Sequence, residues 1–164
     1  MDQIIRRAPQ PSPRRKLLRC AFAGDRPEKM PFGSNEEDLR CIRFKQDLGC
    51  AIEALVDRGY CHFLTGGARG FDTFAAEAVM NVRRAHPWVT LEVVVPYDAQ
   101  AERWTRFGQM RYSWILGQAD ILTYISHEYT STCLAERNRY LADHCDLLLA
   151  AYDDQPGGAA QTVA

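Results

Sequence analysis

The amino-acid sequence predicts an α/β fold, in which a parallel sheet of about five strands lies between two layers of helices. Two observations lead to this prediction. Segments with strand character alternate with segments of helical periodicity along most of the chain, as in a parallel sheet joined by helical crossovers. The strand segments are also nearly continuous apolar runs, which are typical of strands buried on both faces. Together these patterns indicate a three-layer, Rossmann-like domain with right-handed crossovers.

The first half of the chain predicts three strands and two helices. Residues 17–23 form an apolar run that ends at Gly24. Residues 36–58 repeat apolar side chains at spacings of three and four, which predicts a helix, and Gly59 suits its C-terminal cap. The next elements are a strand over 60–65, a helix over 71–85 capped by Asp72 or Thr73, and a strand over 89–95.

The second half repeats the alternation. A helical region opens at Gln100 and continues to about residue 117, and residues 130–132 supply good cap residues for a later helix. The remaining elements are expected as a strand over 119–125, a helix over 133–144 and a strand over 146–152. A second glycine-rich turn follows and leads to the start of a further helix.

Length and charge limit the classes of protein that fit. A chain of 164 residues with 46% hydrophobic and 25% charged residues suits one soluble globular domain. We expect that domain over 17–164, preceded by a disordered basic arm over 1–16 whose prolines exclude a helix. The arm could contact nucleic acid or acidic lipid, or be a solvated tail. The net charge of −1 disfavours nucleic acid as a partner of the whole chain, and no apolar run is long enough to cross a bilayer.

The cysteines are expected to be reduced, mostly buried thiols of a cytoplasmic protein. None forms a Cys-x-x-Cys pair, and the two Cys–His neighbours would point to opposite faces of a strand, which makes a poor metal chelate. Neither a metal nor a cofactor is predicted.

The turn after the second strand, over residues 64–72, carries the main functional signal. Its glycines Gly66, Gly67 and Gly70 lie where a strand becomes a helix, so the backbone can bend sharply and approach a ligand. The N–H groups and the partial positive charge at the start of that helix favour an anion, usually phosphate. The glycine spacing matches neither the Walker loop nor the dinucleotide fingerprint. A tight turn that binds nothing is the alternative.

Polar residues and glycines follow the end of every predicted strand. We expect them to share one rim, because ligands of open α/β sheets bind beyond the carboxyl ends of the strands. The candidates are Arg26, Arg69 and Arg137 for a phosphate, and Tyr97 and Trp104 for stacking on a base. Core packing is the alternative role of the aromatic pair. An ion pair with Glu77 or Asp143 is the alternative role of Arg137.

Five motifs follow the predicted strands. They are Gly24-x-Arg26-Pro27-x-Lys29; Gly66-Gly67-Ala68-x-Gly70-x-Asp72 with Ala75-Ala76-Glu77; Val95-Pro96-Tyr97 with Gln100 and Trp104; Tyr129 followed by Arg137-Asn138-x-Tyr140-x-x-Asp143; and Tyr152-Asp153 with Gly157-Gly158. In combination they resemble, over about residues 17–164, the YpsA-like branch of the SLOG superfamily, which also holds the DNA-processing protein DprA and the LOG phosphoribohydrolases.

This resemblance implies a nucleotide-derived ligand with its phosphate near the two double-glycine turns, and a link to bacterial cell division or stress. The expected ligand-binding residues are Gly24, Arg26, Gly66, Gly67, Arg69, Gly70, Asp72, Tyr97, Gln100, Trp104, Arg137, Asn138, Gly157 and Gly158.

The sequence departs from the family pattern in several places. The first turn usually reads Gly-His-Arg-Pro, and here Asp25 replaces the histidine, where its carboxylate would repel a phosphate or contact a ribose hydroxyl. The last turn usually reads Gly-Gly-Thr, and Ala159 replaces the threonine and its hydroxyl donor. The glutamate that follows this turn in LOG enzymes has no counterpart, and neither do the last helix and strand of the family. We therefore expect a domain that is short at its carboxyl end.

These observations favour a sensor- or adaptor-like domain that binds a nucleotide-derived ligand. An alternative is an enzyme that cleaves an N-glycosidic bond, with Glu77 and Asp72 as its candidate catalytic carboxylates. The missing glutamate counts against LOG-type activity, and Asp72 has helix capping as its alternative role. A second alternative is DprA-like binding of single-stranded DNA, which the acidic globular part disfavours. A protein partner and a homo-oligomer stay open.

Overall fold

Strands and helices alternate without exception in the part of the chain that the structure describes. The computed structural model describes residues 17–151. A short 3₁₀ turn, Pro27–Lys29, follows the first strand. The elements are β1 Leu18–Gly24, α1 Leu39–Asp57, β2 Tyr60–Thr65, α2 Phe71–Ala85, β3 Thr90–Val95, α3 Arg106–Gln118, β4 Ile121–Tyr124, α4 Cys133–Asp143 and β5 Leu147–Ala151.

The five strands form one parallel sheet in the order β4-β3-β2-β1-β5. The first three connections each move one strand outward from β1, and the fourth returns to its other side. Since parallel crossovers are right-handed, α1, α2 and α3 cover one face and α4 covers the other. The packing agrees: α2 lies between α1 and α3, and α4 packs on β1 and β3. The predicted three-layer, Rossmann-like fold is confirmed.

The hydrophobic core is divided between the two faces of the sheet. On the face of α1 to α3, Phe22 stacks on Phe63 with 5.9 Å between ring centroids, and Phe71 of α2 packs against Phe22. On the face of α4, a smaller cluster forms, whose members are Ala21, Leu64, Val94 and Leu141. Neighbouring residues of one strand therefore enter different halves of the core, which explains why the strands are apolar at nearly every position.

A polar network is also buried on the face of α4. Nε2 of His62 lies 2.6 Å from Oε2 of Glu92, and Nδ1 of His62 lies 2.7 Å from the Thr90 hydroxyl. The hydroxyls of Thr123 and Tyr140 donate to Oε1 of Glu92 at 2.6 and 2.8 Å. Burial raises the pKa of Glu92, but the hydrogen bonds from His62, Thr123 and Tyr140 outweigh it and bring the pKa to about 2. The network therefore holds Glu92 ionised inside the domain.

Two predicted helix starts were wrong because capping residues begin the helices later than the apolar pattern does. Helix α1 begins at Leu39, where Asp38 accepts a hydrogen bond from the Arg40 N–H at 2.9 Å. Helix α3 begins at Arg106, capped by Thr105, and residues 97–104 form tight turns instead of a helix.

The predicted caps of α2 and α1 had different outcomes. The cap position of α2 is Gly70, so the prediction of Asp72 or Thr73 as its cap was wrong. Gly59 follows α1 with φ of 100°, as expected of a C-terminal glycine. The predicted arm over 1–16 and the last glycine turn with its further helix lie outside the described residues.

Candidate functional site

The turn between β2 and α2 needs backbone conformations that glycine adopts readily. Gly67 and Gly70 have φ of 69° and 81°, in the left-handed region. A Cβ on Gly70 would also lie 2.6 Å from the carbonyl oxygen of Asp25. The Phe71 N–H donates to that same oxygen at 3.1 Å. The turns that follow β1 and β2 are therefore fixed against each other.

A buried arginine from the other face of the sheet supports this turn. Arg137 of α4 is 6% exposed, and its Nη1 donates to the Gly66 carbonyl at 2.9 Å and to Oε1 of Gln100 at 3.3 Å. Its Nε donates to Oδ1 of Asn138 at 3.0 Å. A Cβ on Gly66 would lie 2.6 Å from Nη1, so the absence of a side chain there makes room for the guanidinium. Four predicted residues thus meet in one cluster.

The alternative ion pairs that the sequence left open for Arg137 do not occur among the described residues. Glu77 pairs with Arg111, and Asp143 pairs with Arg139 on the surface. The charge that opposes Arg137 is instead that of Asp72.

Asp72 lies behind the turn, where it is 8% exposed. Its carboxylate accepts a hydrogen bond from the Ala68 N–H at 3.2 Å. Burial raises the pKa of Asp72, and Arg137 and the Ala68 N–H oppose this, so that the pKa is about 6 instead of 3.8. Burial likewise lowers the pKa of Arg137, and Asp72 opposes that shift. Asp72 and Arg137 therefore each stabilise the charged form of the other beneath the turn.

Glu77 belongs to an ion-pair network beside the turn. Nε of Arg111 donates to Glu77 at 2.5 Å, and its two Nη atoms donate to the carboxylate of Glu36 at 2.6 and 2.9 Å. Nζ of Lys45 donates to Glu36 at 2.6 Å. Both cations lie over the Phe74 ring, at 4.6 Å for Lys45 and 5.8 Å for Arg111 from its centroid. The hydrogen bonds from Arg111, followed by that from Lys45, lower the pKa of Glu36 to about 2 despite its partial burial.

An open cleft of about 980 Å³ lies at the carboxyl ends of β1 to β4. Two of its aromatic side chains are held by aromatic neighbours: Tyr97 contacts Tyr129 with 5.3 Å between ring centroids, and Trp104 contacts Tyr112 with 5.1 Å. The cleft brings together six of the predicted binding residues, Arg26, Arg69, Gly70, Tyr97, Gln100 and Trp104.

The arginines of this cleft differ in whether they are already paired. Arg69 donates to Glu28 at 2.7 Å, and Arg111 is held by two glutamates. Within residues 17–151, Arg26 and Arg103 take part in no salt bridge, and both are exposed. These two cations are therefore available to an anion in the cleft.

The other predicted residues that the structure describes do not line the cleft. A Cβ on Gly24 would lie 2.2 Å from the Phe71 ring, so this glycine serves packing. Gly157 and Gly158 lie outside the described residues. The layer behind the lining contains Gly66, Gly67, Asp72, Arg137 and Asn138, and Glu77 lies beside it.

Several residues of the cleft were missed by the sequence reasoning, among them Glu36, Phe107 and Arg111. None directly follows a strand. Phe107 and Arg111 reach the cleft because α3 packs beside α2, and Arg111 there binds Glu36. The spacing of four between Phe107 and Arg111, which places them on one side of a helix, was the only signal in the sequence.

Comparison with known proteins identifies the family. Residues 20–164 match the YpsA family model, which is described as the YspA SLOG family. The chain belongs to this family. A UPF0398 protein of Bacillus pumilus is 32% identical over 130 residues, which cover 78% of this chain and 69% of that protein. A UPF0398 protein of Halalkalibacterium halodurans is 35% identical over 131 residues, which cover 77% of this chain and 67% of that protein. The resemblance seen in the sequence is confirmed.

Some relatives of this YpsA-family chain are matched over a smaller part of their length. A UPF0398 protein of Staphylococcus epidermidis is 28% identical over 113 residues, which cover 68% of this chain and 60% of that protein. The chain thus spans less than two thirds of that relative.

Within residues 17–151, no helix is both long and apolar enough to cross a membrane. In the same range, no cluster of three or more His, Cys, Asp or Glu side chains could hold a metal ion. The six cysteines are free thiols, of which four are buried.

Proposed function

We propose that this domain binds a nucleotide-derived ligand in the cleft, as a sensor or adaptor. The observation that carries the proposal is the meeting of exposed arginines, a glycine-built helix start and aromatic side chains in one cleft of about 980 Å³. Ligand clefts of roughly 300–1,000 Å³ hold molecules the size of drugs and cofactors, and a nucleotide belongs to this size class.

The chemistry of the lining suggests how such a ligand would lie. Its phosphate belongs near Arg26 and the first turn of α2, because a cation and a helix N-terminus both favour negative charge. Its base belongs toward Tyr97 and Trp104, whose half-buried rings are held by neighbouring tyrosines and offer flat surfaces for stacking. Glu36 lines the same cleft, and its carboxylate, which already accepts hydrogen bonds from Arg111 and Lys45, has further capacity to accept them from ribose hydroxyls.

Binding without turnover is favoured over cleavage of an N-glycosidic bond. Neither Asp72 nor Glu77 is among the described residues that line the cleft. Asp72 is engaged by the Ala68 N–H, and Glu77 by Arg111, so a catalytic role would require either carboxylate to leave its partner. The free thiols and the nucleotide ligand both fit a cytoplasmic location.

The proposal is tested by titrating the full chain with AMP, ADP, ADP-ribose and NAD, and with adenosine as a ligand that lacks phosphate. A ligand present at a hundredfold excess over Kd stabilises the folded state by about 2.7 kcal/mol. For a chain of this size that stabilisation raises Tm by roughly 5–10 °C. Chromatography of each mixture afterwards separates binding from cleavage, because an intact nucleotide marks a binding domain and a released base marks an enzyme.

Two arginine variants locate the phosphate. Arg26→Ala removes a cation of the cleft, whereas Arg139→Ala removes an exposed cation of α4 outside the cleft lining. We expect Arg26→Ala to weaken the phosphate-bearing ligand about tenfold or more, in line with the loss of a charged hydrogen bond, while Arg139→Ala leaves it unchanged. No binding of any nucleotide, or equal losses in the two variants, would contradict the proposal.

A further inference from the structure

Helix α3 carries an apolar stripe on its outer surface. Phe107, Met110 and Trp114 are 71%, 64% and 54% exposed. Their spacings of three and four residues place them next to one another on one face of the helix. The side chains that α3 buries, Tyr112 and Ile115, lie on its other side, toward the sheet. The outer face of α3 is therefore apolar at the positions where a surface helix normally carries polar residues.

The stripe is as large as the largest apolar patch of a typical monomeric protein, which is often functional. With roughly 200 Å² for each of Phe107, Met110 and Trp114, the exposed fractions amount to about 400 Å² of neighbouring, mostly apolar surface. Two copies of the stripe facing each other would bury about 800 Å², and exposed flanking residues such as Arg103, Arg106 and Gln118 adjoin it. Only about 200 Å² more is needed to reach the roughly 1,000 Å² of a specific interface.

The ends of α3 indicate that the partner of the stripe is another α3 in antiparallel orientation. Arg106 lies in the first turn of the helix, which contains no acidic residue. A cation there opposes the helix dipole of its own chain. The C-terminus has no basic residue in its last turn, and the carboxylate of Asp120, which follows it, is bound by Arg83. In an antiparallel pair, Arg106 of each copy would approach the C-terminus of the other.

The spacing of the stripe fits the same arrangement. A two-fold axis midway between Met110 and Arg111 would place Phe107 of each copy opposite Trp114 of the other, with the two Met110 side chains beside the axis. Phe107 and Trp104 also line the cleft, so the second copy would reach the rim of that cleft.

We propose that the protein forms a homodimer through antiparallel packing of α3 against α3, with Phe107 of each copy against Trp114 of the other. This inference does not depend on the identity of any ligand.

The oligomeric state of the full chain gives the first test. Sedimentation velocity from about 1 to 100 µM covers the affinities of small specific interfaces. We expect a species of twice the 18.6 kDa chain mass to accumulate with concentration. Met110→Asp places two like charges beside the axis and should leave a monomer over the whole range. The matched control is Leu39→Asp, at an 80% exposed position of α1. Because α2 lies between α1 and α3, this variant should dimerise as the wild type does.

Crosslinking tests the orientation. In a background with the exposed Cys50→Ser, Phe107→Cys and Trp114→Cys chains are prepared singly and mixed. In the antiparallel pair the two copies of position 107 are offset by about 10 Å along the helices, beyond the roughly 7 Å that a disulfide bridges between Cα atoms. We therefore expect the mixture to crosslink as a heterodimer at least several-fold more than either variant alone.

Three outcomes would overturn the proposal. They are a wild-type chain that stays monomeric up to the highest concentration, a Met110→Asp variant that dimerises like the wild type, and crosslinks that join like positions instead of unlike ones. Far-UV circular dichroism of each variant verifies that it is folded, as expected for substitutions at exposed positions.

Discussion

Replacing Gly66 by alanine tests whether the buried arginine fixes the glycine turn. The added Cβ would lie 2.6 Å from Nη1 of Arg137 and 2.9 Å from its Cδ and Cζ. The guanidinium cannot move aside freely, because it is 6% exposed and donates hydrogen bonds to Gly66, Gln100 and Asn138. Either the turn or Arg137 must therefore leave its position.

The expected loss of stability follows from these contacts. Overpacking a buried position costs about 1–3 kcal/mol, and losing one hydrogen bond from a charged donor costs about 1.5–3 kcal/mol. The two costs arise at one place and do not add fully. We expect the free energy of unfolding to fall by about 2–4 kcal/mol, a large fraction of the stability of a domain of this kind.

Urea unfolding followed by far-UV circular dichroism measures this loss. Gly49→Ala in the middle of α1 is the matched control, since its Cβ would meet nothing within 4 Å. Alanine is better than glycine inside a helix by about 0.5–1 kcal/mol, so the control should be more stable than the wild type. The same chemical change is thus expected to act with opposite signs at the two positions. A Gly66→Ala protein within about 0.5 kcal/mol of the wild type would refute the packing of Arg137 against the turn.

Two further predictions concern the buried carboxylates. Tyr140→Phe removes the hydroxyl that donates to Glu92 at 2.8 Å, which should lower the free energy of unfolding by about 1.5 kcal/mol or more; the 65% exposed Tyr129, changed to Phe, should cost under about 0.5 kcal/mol. Equal effects of the two variants would contradict the network around Glu92. The pKa of Asp72 is raised from 3.8 to about 6, so the stabilisation from protonated Asp72 is complete below pH 3.8 and is lost as the pH rises through 6. Relative to Asp72→Asn, the wild type should lose about 2–3 kcal/mol between about pH 4 and 7, and a constant difference over that range would refute the raised pKa.

The rim of the cleft was predictable because each of its main contributors follows a strand. In a parallel sheet the carboxyl ends of all strands meet at one edge, so the strand pattern alone brings Arg26, Arg69, Tyr97 and Trp104 toward one place. The structure agrees, since all four border the same cleft. The strand pattern does not predict which residues line the cleft and which lie behind the lining and support it. Asp72 directly follows Phe71 at the start of α2 and yet faces Ala68 and Arg137.

The sequence by itself determined the fold class, the order of the elements and the family. The alternation of strands and helices, the helical spacing of apolar residues and the glycine turns are local properties, and each depends on a short stretch of consecutive residues. Tertiary structure alone decided which partners these residues take. Arg137 reaches the turn of β2 from the opposite face because Gly66 leaves room for it, and Glu77 is held by Arg111 because α2 packs beside α3. Likewise, the apolar stripe of α3 is exposed because the opposite side of the helix packs against the sheet. Contacts between residues far apart in the chain depend on how the layers pack, and packing is a property of the whole domain.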